Sequence, residues 1–495
     1  MTSVQSIDYA AIAPPMMVAV GAVAVLLLDL VLGPRVARAV DPVPAVALSV
    51  LVAAGLLLWP LRHGTRATFC VPGACSYVAD PLAVTIQLVV LAGAVVVVLL
   101  SMSERGLPMG EYSFLLLASV SGALVVAAAR DLATLIIALE VVSLPSFALV
   151  ALRRDAASAQ AALTAFLMSI VATAVSLLGI AFVYAGTGTL HLQQLRVSLA
   201  EPAARQPVVL AGVVLTFAAP AFKLAAVPFH GWAPDTYRGA PLSIAAYLSL
   251  VSKGAGVVAL ISLSFGGFAA AETTWAPLLA VMAAATMLVG NLGALRQRGV
   301  VRLLAWSSIG QAGYIIVPLA CAGRVDPALA VSAAVAYLAA YGAMNLGAFA
   351  VVAAAVPDGA SPGAVRLTDL RGLARTRPFL GLSLAFFLAC LAGLPPGLVG
   401  LFVKVRVFDV PVQAGLGWLA VVMGVATVIG LAYYVRFAAL LFAEPPAGLP
   451  AAGAEGAARL EQPRARPEVG AVALMLGVTL VMSAAPALVL GLLAP

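Results

Sequence analysis

The chain has 495 residues, of which 63% are hydrophobic and only 9% are charged. Soluble domains carry roughly 25% charged residues, so this composition excludes a soluble globular protein and indicates a polytopic helical membrane protein. The formal net charge of +7 would suggest nucleic-acid binding in a soluble protein, but here arginine-rich cytoplasmic loops explain it, and no nucleic acid is expected as a partner.

Apolar runs separated by Arg, Pro and Gly predict an all-α fold with about 14 membrane spans, each near the roughly 20 residues that a bilayer requires. In chain order the predicted spans are 14–33, 43–60, 80–101, 112–129, 131–152, 159–184, 207–229, 241–264, 275–295, 302–321, 328–356, 378–410, 415–442 and 468–492. None of the connections reads as a soluble domain. The longest are 185–206, 357–377 and 444–467, and the last is predicted to be a flexible Pro/Ala/Gly linker.

Arginine is distributed unevenly between alternate loops. One set of loops carries 16 of the 24 arginines and the other set carries 6, which leaves Arg406 and Arg436 inside spans. The set with 16 is expected to be cytoplasmic, so both termini are predicted to be periplasmic. The loop with Cys70 and Cys75 then also faces the periplasm, where a disulfide is more plausible than a metal site. The N-terminus shows no signal peptide.

All three lysines of the chain lie inside predicted spans, namely Lys223, Lys253 and Lys404, whereas every basic loop residue is arginine. An ionisable group at bilayer depth is energetically costly and indicates a functional site by default. Lysine suits proton transfer because burial shifts its pKa readily, while arginine stays charged. The pattern therefore predicts a membrane proton carrier, although helix-end snorkelling is the alternative for Lys253 and Lys404.

Glu140 lies near the middle of span 5 and is the natural partner of Lys223. While the two are paired, Lys223 would stay protonated, and their separation would let it release a proton to the next site. A static ion pair that braces two helices is the alternative. Lys253 would relay the proton into the second half of the chain, and Lys404 would be the exit-side site.

Two further ionisable residues are secondary candidates. Asp29, close to the cytoplasmic end of span 1, is expected to contact a neighbouring subunit. His230 follows Pro228 at the end of span 7 and titrates in the range that a proton path needs, with loop packing as the alternative. The chain has no Rossmann fingerprint, Walker loop, CxxC or HExxH motif, so no nucleotide, cluster or metal is expected in it.

Two predicted spans are interrupted by proline next to a lysine. Span 7 carries Pro220 and Pro228 around Lys223, and span 12 carries Pro395–Pro396 before Lys404. Broken helices at matching positions indicate inverted repeats, although proline is also simply commoner in membrane helices. Spans 4–8 and 9–13 would then be two inverted five-helix units. In the fifth place of each unit, Lys253 would correspond to Arg436.

This organisation divides the chain into four segments. They are the N-terminal spans 1–3 (1–111), the first repeat (112–264), the second repeat (275–442) and the C-terminal span 14 (468–495).

Long, ordered motifs across most of the chain resemble the antiporter-like subunits of respiratory complex I. In the segment 222–254, the form PDTYRGAP followed by SKG is similar to the N-type subunits rather than to their paralogues. Supporting segments are 131–155, 290–314, 345–352 and 369–408.

The resemblance implies a proton-translocating subunit of a bacterial inner (plasma) membrane that holds no redox cofactor. NADH, FMN, iron–sulfur clusters and quinone would be bound by other subunits. The expected partners are neighbouring membrane-arm subunits and lipid. The resemblance also implies that Glu140 and Lys223 are the family's charged pair, Lys253 its central relay and Lys404 its terminal lysine.

Two positions depart from the family pattern. Thr164 stands where the family often has Lys, and Gln311 stands where it often has His. Glutamine cannot carry a proton as histidine can, although it can hold water. The relay from Lys253 to Lys404 would then rely on water, or this copy would pump poorly. A subunit of a multisubunit cation/proton antiporter and a membrane scaffold with vestigial charges are the competing functions.

Overall fold

The computed structural model describes residues 7–36, 42–104, 106–356, 362–444 and 467–486. Over these ranges, 13 helices are long and apolar enough to cross a membrane, or up to 14 if the bent pair Leu367–Thr376 and Pro378–Ala392 is one span. The predicted all-α membrane fold with about 14 spans is therefore confirmed.

The described residues of the first half of the chain supply eleven α-helices. They are α1 (Tyr9–Val36), α2 (Val43–Leu58), α3 (Pro81–Ser101), α4 (Met109–Ala128), α5 (Leu132–Ala151), α6 (Ala156–Thr187), α7 (Leu192–Ser198), α8 (Pro207–Thr216), α9 (Ala218–Leu224), α10 (Ala233–Gly239) and α11 (Leu242–Ile261).

The second half supplies a further eight within the described ranges. They are α12 (Glu272–Leu295), α13 (Val300–Leu319), α14 (Pro327–Ala355), α15 (Leu373–Thr376), α16 (Pro378–Ala392), α17 (Leu398–Gln413), α18 (Gly417–Phe442) and α19 (Pro467–Ala484).

Several helix ends differ from the prediction. Helix α1 begins at Tyr9, upstream of the predicted residue 14. The polar connection 185–206 contains the short helix α7 and a 3₁₀ turn at Pro202–Ala204, so most of it has regular structure. The predicted linker 444–467 lies outside the described residues except at its two ends, and so does the C-terminal part of span 14.

A small hairpin joins α2 to α3. Strands β1 (Arg66–Val71) and β2 (Ala74–Ala79) pair antiparallel with Cys70 opposite Cys75, and a disulfide joins these two residues. Beyond the hairpin, Asp80 accepts a hydrogen bond from Arg130 at 2.6 Å. The sequence had left the state of the two cysteines open, and the structure pairs them.

Helix α11 is the centre of the molecule. Every residue from Leu242 to Ile261 is buried, and the helix continues as a π-helical turn at Ser262–Gly267. Helices from both halves of the chain, including α3, α4, α9 and α14, pack around it. Such enclosure explains why the helix has no solvent-facing polar side, and why its few polar residues, Lys253 among them, are buried.

The first of the two interrupted spans is irregular at Pro220, where α8 passes into α9, and it is broken after α9. Pro220 has no N–H to give the Thr216 carbonyl four residues earlier, so that carbonyl needs another donor. The Ser176 hydroxyl on α6 donates to it at 3.0 Å and accepts from the Ala219 N–H at 2.7 Å. Helix α9 then ends at Ala225, which has a left-handed φ of 55°.

The second interrupted span is broken between α16 and α17. Helix α16 ends at Gly393, whose φ of 82° is left-handed and whose N–H bonds the Ala389 carbonyl at 2.9 Å. After Pro395–Pro396 the chain resumes as α17, which carries Lys404. The predicted breaks in spans 7 and 12 are thus present, each in the fourth place of one inverted five-helix unit.

Candidate functional site

Lys223 lies at the end of α9, two residues before the left-handed Ala225, and only 3% of it is exposed. Its ammonium Nζ is 5.9 Å from the ring centres of both Phe147 and Phe222. Ring faces attract a cation weakly at this distance. The buried charge therefore depends on a second source of stabilisation.

Glu140 supplies that stabilisation from α5, but without direct contact. Its Oε1 accepts a hydrogen bond from the Thr173 hydroxyl at 2.5 Å. Between Glu140 and Lys223, both of them described residues, no ion pair forms within 4.0 Å, yet their charges interact. The structure thus holds the predicted pair in its separated arrangement, with Thr173 in the place of the ammonium.

Lys253 lies in the middle of α11 and is completely buried. Its Nζ donates to the Ser308 carbonyl of α13 at 2.5 Å. One turn further along α11, a side chain at Gly256 would approach within 2.9 Å of Lys223 Cβ. The glycine therefore lets the helix of Lys223 pack directly on the helix of Lys253.

Lys404 crosses the second break from the opposite side. From α17 its Nζ donates to the carbonyls of Leu391 and Ala392 at 2.8 Å each, and it lies 5.5 Å from the ring centre of Tyr314. These carbonyls are the last of α16, and the C-terminal end of a helix is partially negative. The ammonium of Lys404 is thus stabilised by the end of a half-helix and an aromatic face, whereas that of Lys223 is stabilised by a carboxylate.

Gln311 connects the surroundings of the second and third lysines. It lies one turn beyond Ser308 on α13, and its Nε2 donates to the Tyr434 hydroxyl at 3.1 Å and to the Leu391 carbonyl at 3.4 Å. Its Oε1 accepts from the Tyr337 hydroxyl at 2.5 Å. Leu391 is also an acceptor for Lys404, so Gln311 and Lys404 share one carbonyl group.

The remaining predicted residues lie away from these lysines. Thr164 bonds the Gln160 carbonyl of its own helix at 2.9 Å. Arg436 is exposed and donates to the Gln297 carbonyl at 3.1 Å, so it does not have the buried position of Lys253 that the repeat suggested. An arginine keeps its charge at any accessible pH, which favours this placement at the helix surface.

Asp29 and His230 occupy the ends of spans. The Asp29 carboxylate packs against the start of α4, where a side chain at Gly110 would collide with it. His230 is half-buried, its ring centre is 5.9 Å from that of Trp306, and burial lowers its pKa. Neither residue contacts the three lysines through an observed hydrogen bond.

Sequence reasoning missed the polar partners of the charged residues. They come from distant parts of the chain: Thr173 bonds Glu140, and Tyr314 lies near Lys404. Tyr337 and Tyr434 bond Gln311. The one available signal was the number of tyrosines in spans 10, 11 and 13, which is unusual for segments facing lipid tails. Within the described ranges, no group of three or more His, Cys, Asp or Glu could hold a metal ion.

Comparisons with known proteins place this arrangement in a family. Residues 129–430 match the family described as "NADH:quinone oxidoreductase/Mrp antiporter, TM". NADH-quinone oxidoreductase subunit N 2 of Streptomyces griseus is 54% identical over 89% of this chain and 84% of its own length. NADH-quinone oxidoreductase subunit N of Salinispora tropica is 46% identical over 91% and 88%.

Solved structures agree with this. A chain of respiratory complex I from Thermus thermophilus superposes with a TM-score of 0.77 at 30% identity, covering 97% of this chain and 99% of that one. A chain of the Mrp complex from Dietzia sp. has a TM-score of 0.81 over 98% and 96%, but at 22% identity it shows the fold alone. This chain therefore belongs to the family of antiporter-like membrane subunits that includes NADH-quinone oxidoreductase subunit N.

Proposed function

We propose that this chain is the proton-translocating subunit N in the membrane arm of a bacterial NADH:quinone oxidoreductase. The observation that carries the proposal is the series of three lysines within predicted spans, two of them buried and Lys404 partly buried, each in a different polar environment. Lys223 interacts with a carboxylate, Lys253 with one carbonyl and Lys404 with two carbonyls at a helix end. Groups of this kind in a membrane mark a proton path.

The separated Glu140 and Lys223 suggest how the path is driven. A carboxylate near an ammonium favours its protonated form, and withdrawal of the carboxylate favours release. With Glu140 hydrogen-bonded to Thr173, Lys223 is closer to the releasing condition. Movement of Glu140 between Thr173 and Lys223, driven by quinone reduction in other subunits, would load and unload Lys223. Lys253 would then receive the proton and Lys404 would deliver it to the exit side.

The proposal includes what the chain does not do. As a translocase subunit it performs no redox chemistry itself, and NADH, FMN, iron–sulfur clusters and quinone belong to other subunits. It would lie in the cell inner (plasma) membrane with both termini periplasmic. The disulfide between Cys70 and Cys75 supports that orientation, because disulfides persist in oxidising compartments. Residues 112–264 and 275–442 would be the two repeats, between the N-terminal segment 1–111 and the C-terminal helix 468–495.

A subunit of a multisubunit cation/proton antiporter is the second candidate, because the matched family description covers both kinds of complex. An affinity pull-down of the chain from its native membranes separates the two. Inhibitor-sensitive NADH:quinone activity in the eluate supports the first function. An eluate without that activity, accompanied by sodium-dependent growth or efflux that requires the chain, supports the second.

The direct test of the mechanism is Lys223→Ala in the assembled complex. We expect proton pumping to be lost while the complex still assembles, because the substitution removes the first proton-binding group. Arg436→Ala is the matched control, since it removes an exposed cation from the same chain. Normal pumping by Lys223→Ala would overturn the mechanism. If pumping is unchanged when Glu140, Lys223, Lys253 and Lys404 are each neutralised, the chain is a scaffold with vestigial charges.

A further inference from the structure

We propose that the hydroxyl group of Tyr434 carries the proton between Lys253 and Lys404, at the point where the amide of Gln311 cannot. This inference rests on the proposed function and adds a residue that the charge pattern of the sequence does not single out. Tyr434 lies on α18, in the fifth place of the second repeat, and is 1% exposed.

Hydrogen bonds place Tyr434 between the two lysines. On one side its hydroxyl contacts the hydroxyl of Ser307, which neighbours Ser308, the residue whose carbonyl binds Lys253. On the other side it accepts from Gln311 Nε2, which also reaches the Leu391 carbonyl that Lys404 binds. The buried Ser307–Tyr434–Gln311 contacts therefore link the neighbour of the residue that binds Lys253 to the carbonyl that binds Lys404. Lys253 and Ser307, both within the described ranges, share no hydrogen bond, so water carries the proton between them.

Only some members of this connection can transfer a proton. A carbonyl oxygen and a neutral amide accept and donate hydrogen bonds without exchanging protons readily, whereas a hydroxyl is both donor and acceptor. Tyr434 and Ser307 can each release their own proton on one side while they take one on the other. One N–H bond is broken at Lys253 and one is formed at Lys404, while only O–H bonds are exchanged at Ser307, at Tyr434 and at the waters that complete the path. No net charge remains on either hydroxyl after the step.

Gln311 then has a positioning role. Its Oε1 is fixed by the Tyr337 hydroxyl, which turns Nε2 toward Tyr434. Because Tyr434 accepts from Gln311, its own proton is free to point to Ser307 or to water. The last transfer, from the Tyr434 hydroxyl to Lys404 Nζ, takes place through water, since no hydrogen bond joins these two described side chains and both are linked to the Leu391 carbonyl, Lys404 directly and Tyr434 through Gln311.

The decisive variant is Tyr434→Phe in the assembled complex, reconstituted in proteoliposomes. We expect the pumping rate to fall at least tenfold, because a positioned proton-transfer group contributes about 10²–10⁴-fold to a rate. As a control, NADH oxidation is measured with an artificial acceptor that takes electrons before they reach the membrane arm. An unchanged rate shows that the electron-input part of the complex is intact. Tyr433→Phe is the matched control. That tyrosine is buried and packs against Tyr434 with ring centres 4.3 Å apart, and its hydroxyl donates to Asn291 at 3.0 Å. Its loss therefore disturbs the same packing while the hydroxyl of Tyr434 remains.

A second substitution separates proton transfer from packing. Adding Gln311→His to Tyr434→Phe supplies an imidazole, which titrates near neutral pH, next to the missing hydroxyl. We expect this double variant to regain pumping with a new pH dependence. A purely structural role for Tyr434 would give no such rescue. If Tyr434→Phe fails to assemble, Ser307→Ala tests the same hydroxyl step and should also lose pumping.

The outcomes distinguish this inference from the proposed function. Loss of pumping in Lys253→Ala and Lys404→Ala, but wild-type pumping in Tyr434→Phe, would overturn the role of Tyr434 alone. Equal loss in Tyr433→Phe and Tyr434→Phe would overturn it as well, since packing would then explain both. Unimpaired pumping in the two lysine variants would overturn the proposed function.

Discussion

Each of the two broken spans carries a lysine, and the two lysines are stabilised by different groups. In each, a helix ends at a left-handed residue, Ala225 or Gly393, and a lysine lies beside the end. Lys223 belongs to the half-helix before its break and interacts with the carboxylate of Glu140. Lys404 belongs to the half-helix after its break and binds the last carbonyls of the half-helix before it.

This difference indicates which lysine can have the stability of its protonated form changed. A carboxylate on a flexible side chain can move away or bind a proton, so the stabilisation of Lys223 is adjustable. The carbonyls at the end of α16 are fixed in the backbone, and their partial charge does not titrate. Under the proposed function, Lys223 would therefore be the position where a signal from other subunits acts, and Lys404 would bind and release its proton next to acceptors that do not change.

The largest expected effect comes from Glu140→Gln, which removes the adjustable partner. Proton pumping should fall by roughly 10²-fold, the size expected when a positioned acid–base group is lost. Pumping in proteoliposomes measures this, and Glu444→Gln, at an exposed ion pair with Arg375, is the control. Pumping equal to that of the wild type would show that the two breaks do not differ in the way described.

The next effect concerns the break at Gly393. In Gly393→Ala, the left-handed φ of 82° is strained by about 1–2 kcal/mol, and the new Cβ lies 3.1 Å from Lys404 Cδ. We expect a lower thermal unfolding temperature in detergent, together with reduced pumping. Ala225→Gly at the first break is the matched counterpart and should leave the unfolding temperature unchanged or slightly higher, because it relieves the same strain. Equal shifts in both variants would contradict this contrast.

The smallest effect distinguishes the aromatic partners. Tyr314→Leu removes the ring face near Lys404 and should weaken retention of its charge by about 0.5–2 kcal/mol, seen as a several-fold slower pumping rate. Tyr314→Phe keeps the face and should stay near wild type, although it loses the hydrogen bond to Thr427. Phe147→Leu removes a ring near Lys223 and should lower the pumping rate less than Tyr314→Leu does, because the carboxylate of Glu140 also stabilises Lys223. A larger loss in Phe147→Leu would reverse the comparison.

The sequence predicts the spans and the lysines well because both depend on composition along the chain. Length and apolarity identify a membrane helix, and a lysine within one is conspicuous. Proline beside Lys223 and Lys404 likewise identifies both breaks, since a missing N–H has a local effect.

The partners of the charges could not be predicted in the same way. The acceptors of Lys253 and Lys404 are backbone carbonyls. Every residue has such a carbonyl, so the sequence does not show which ones bind the lysines. Thr173 reaches Glu140 only because α5 and α6 pack side by side. The expected match of Arg436 with Lys253 rested on the repeat alone, and a repeat fixes the place of a helix without fixing which face of it is buried.

The enclosure of α11 limits how the rest of a complex can influence Lys253. Because other helices of this chain cover nearly the whole of α11, a neighbouring subunit or lipid can approach it at Leu250, which is 4% exposed and lines an apolar surface pocket, but not at Lys253. Mechanical force from outside can arrive only through the surrounding helices, of which α9 is in direct backbone contact at Gly256. A signal from other subunits therefore reaches Lys253 as a displacement of this chain's own helices or as a change in the electric field at the lysine.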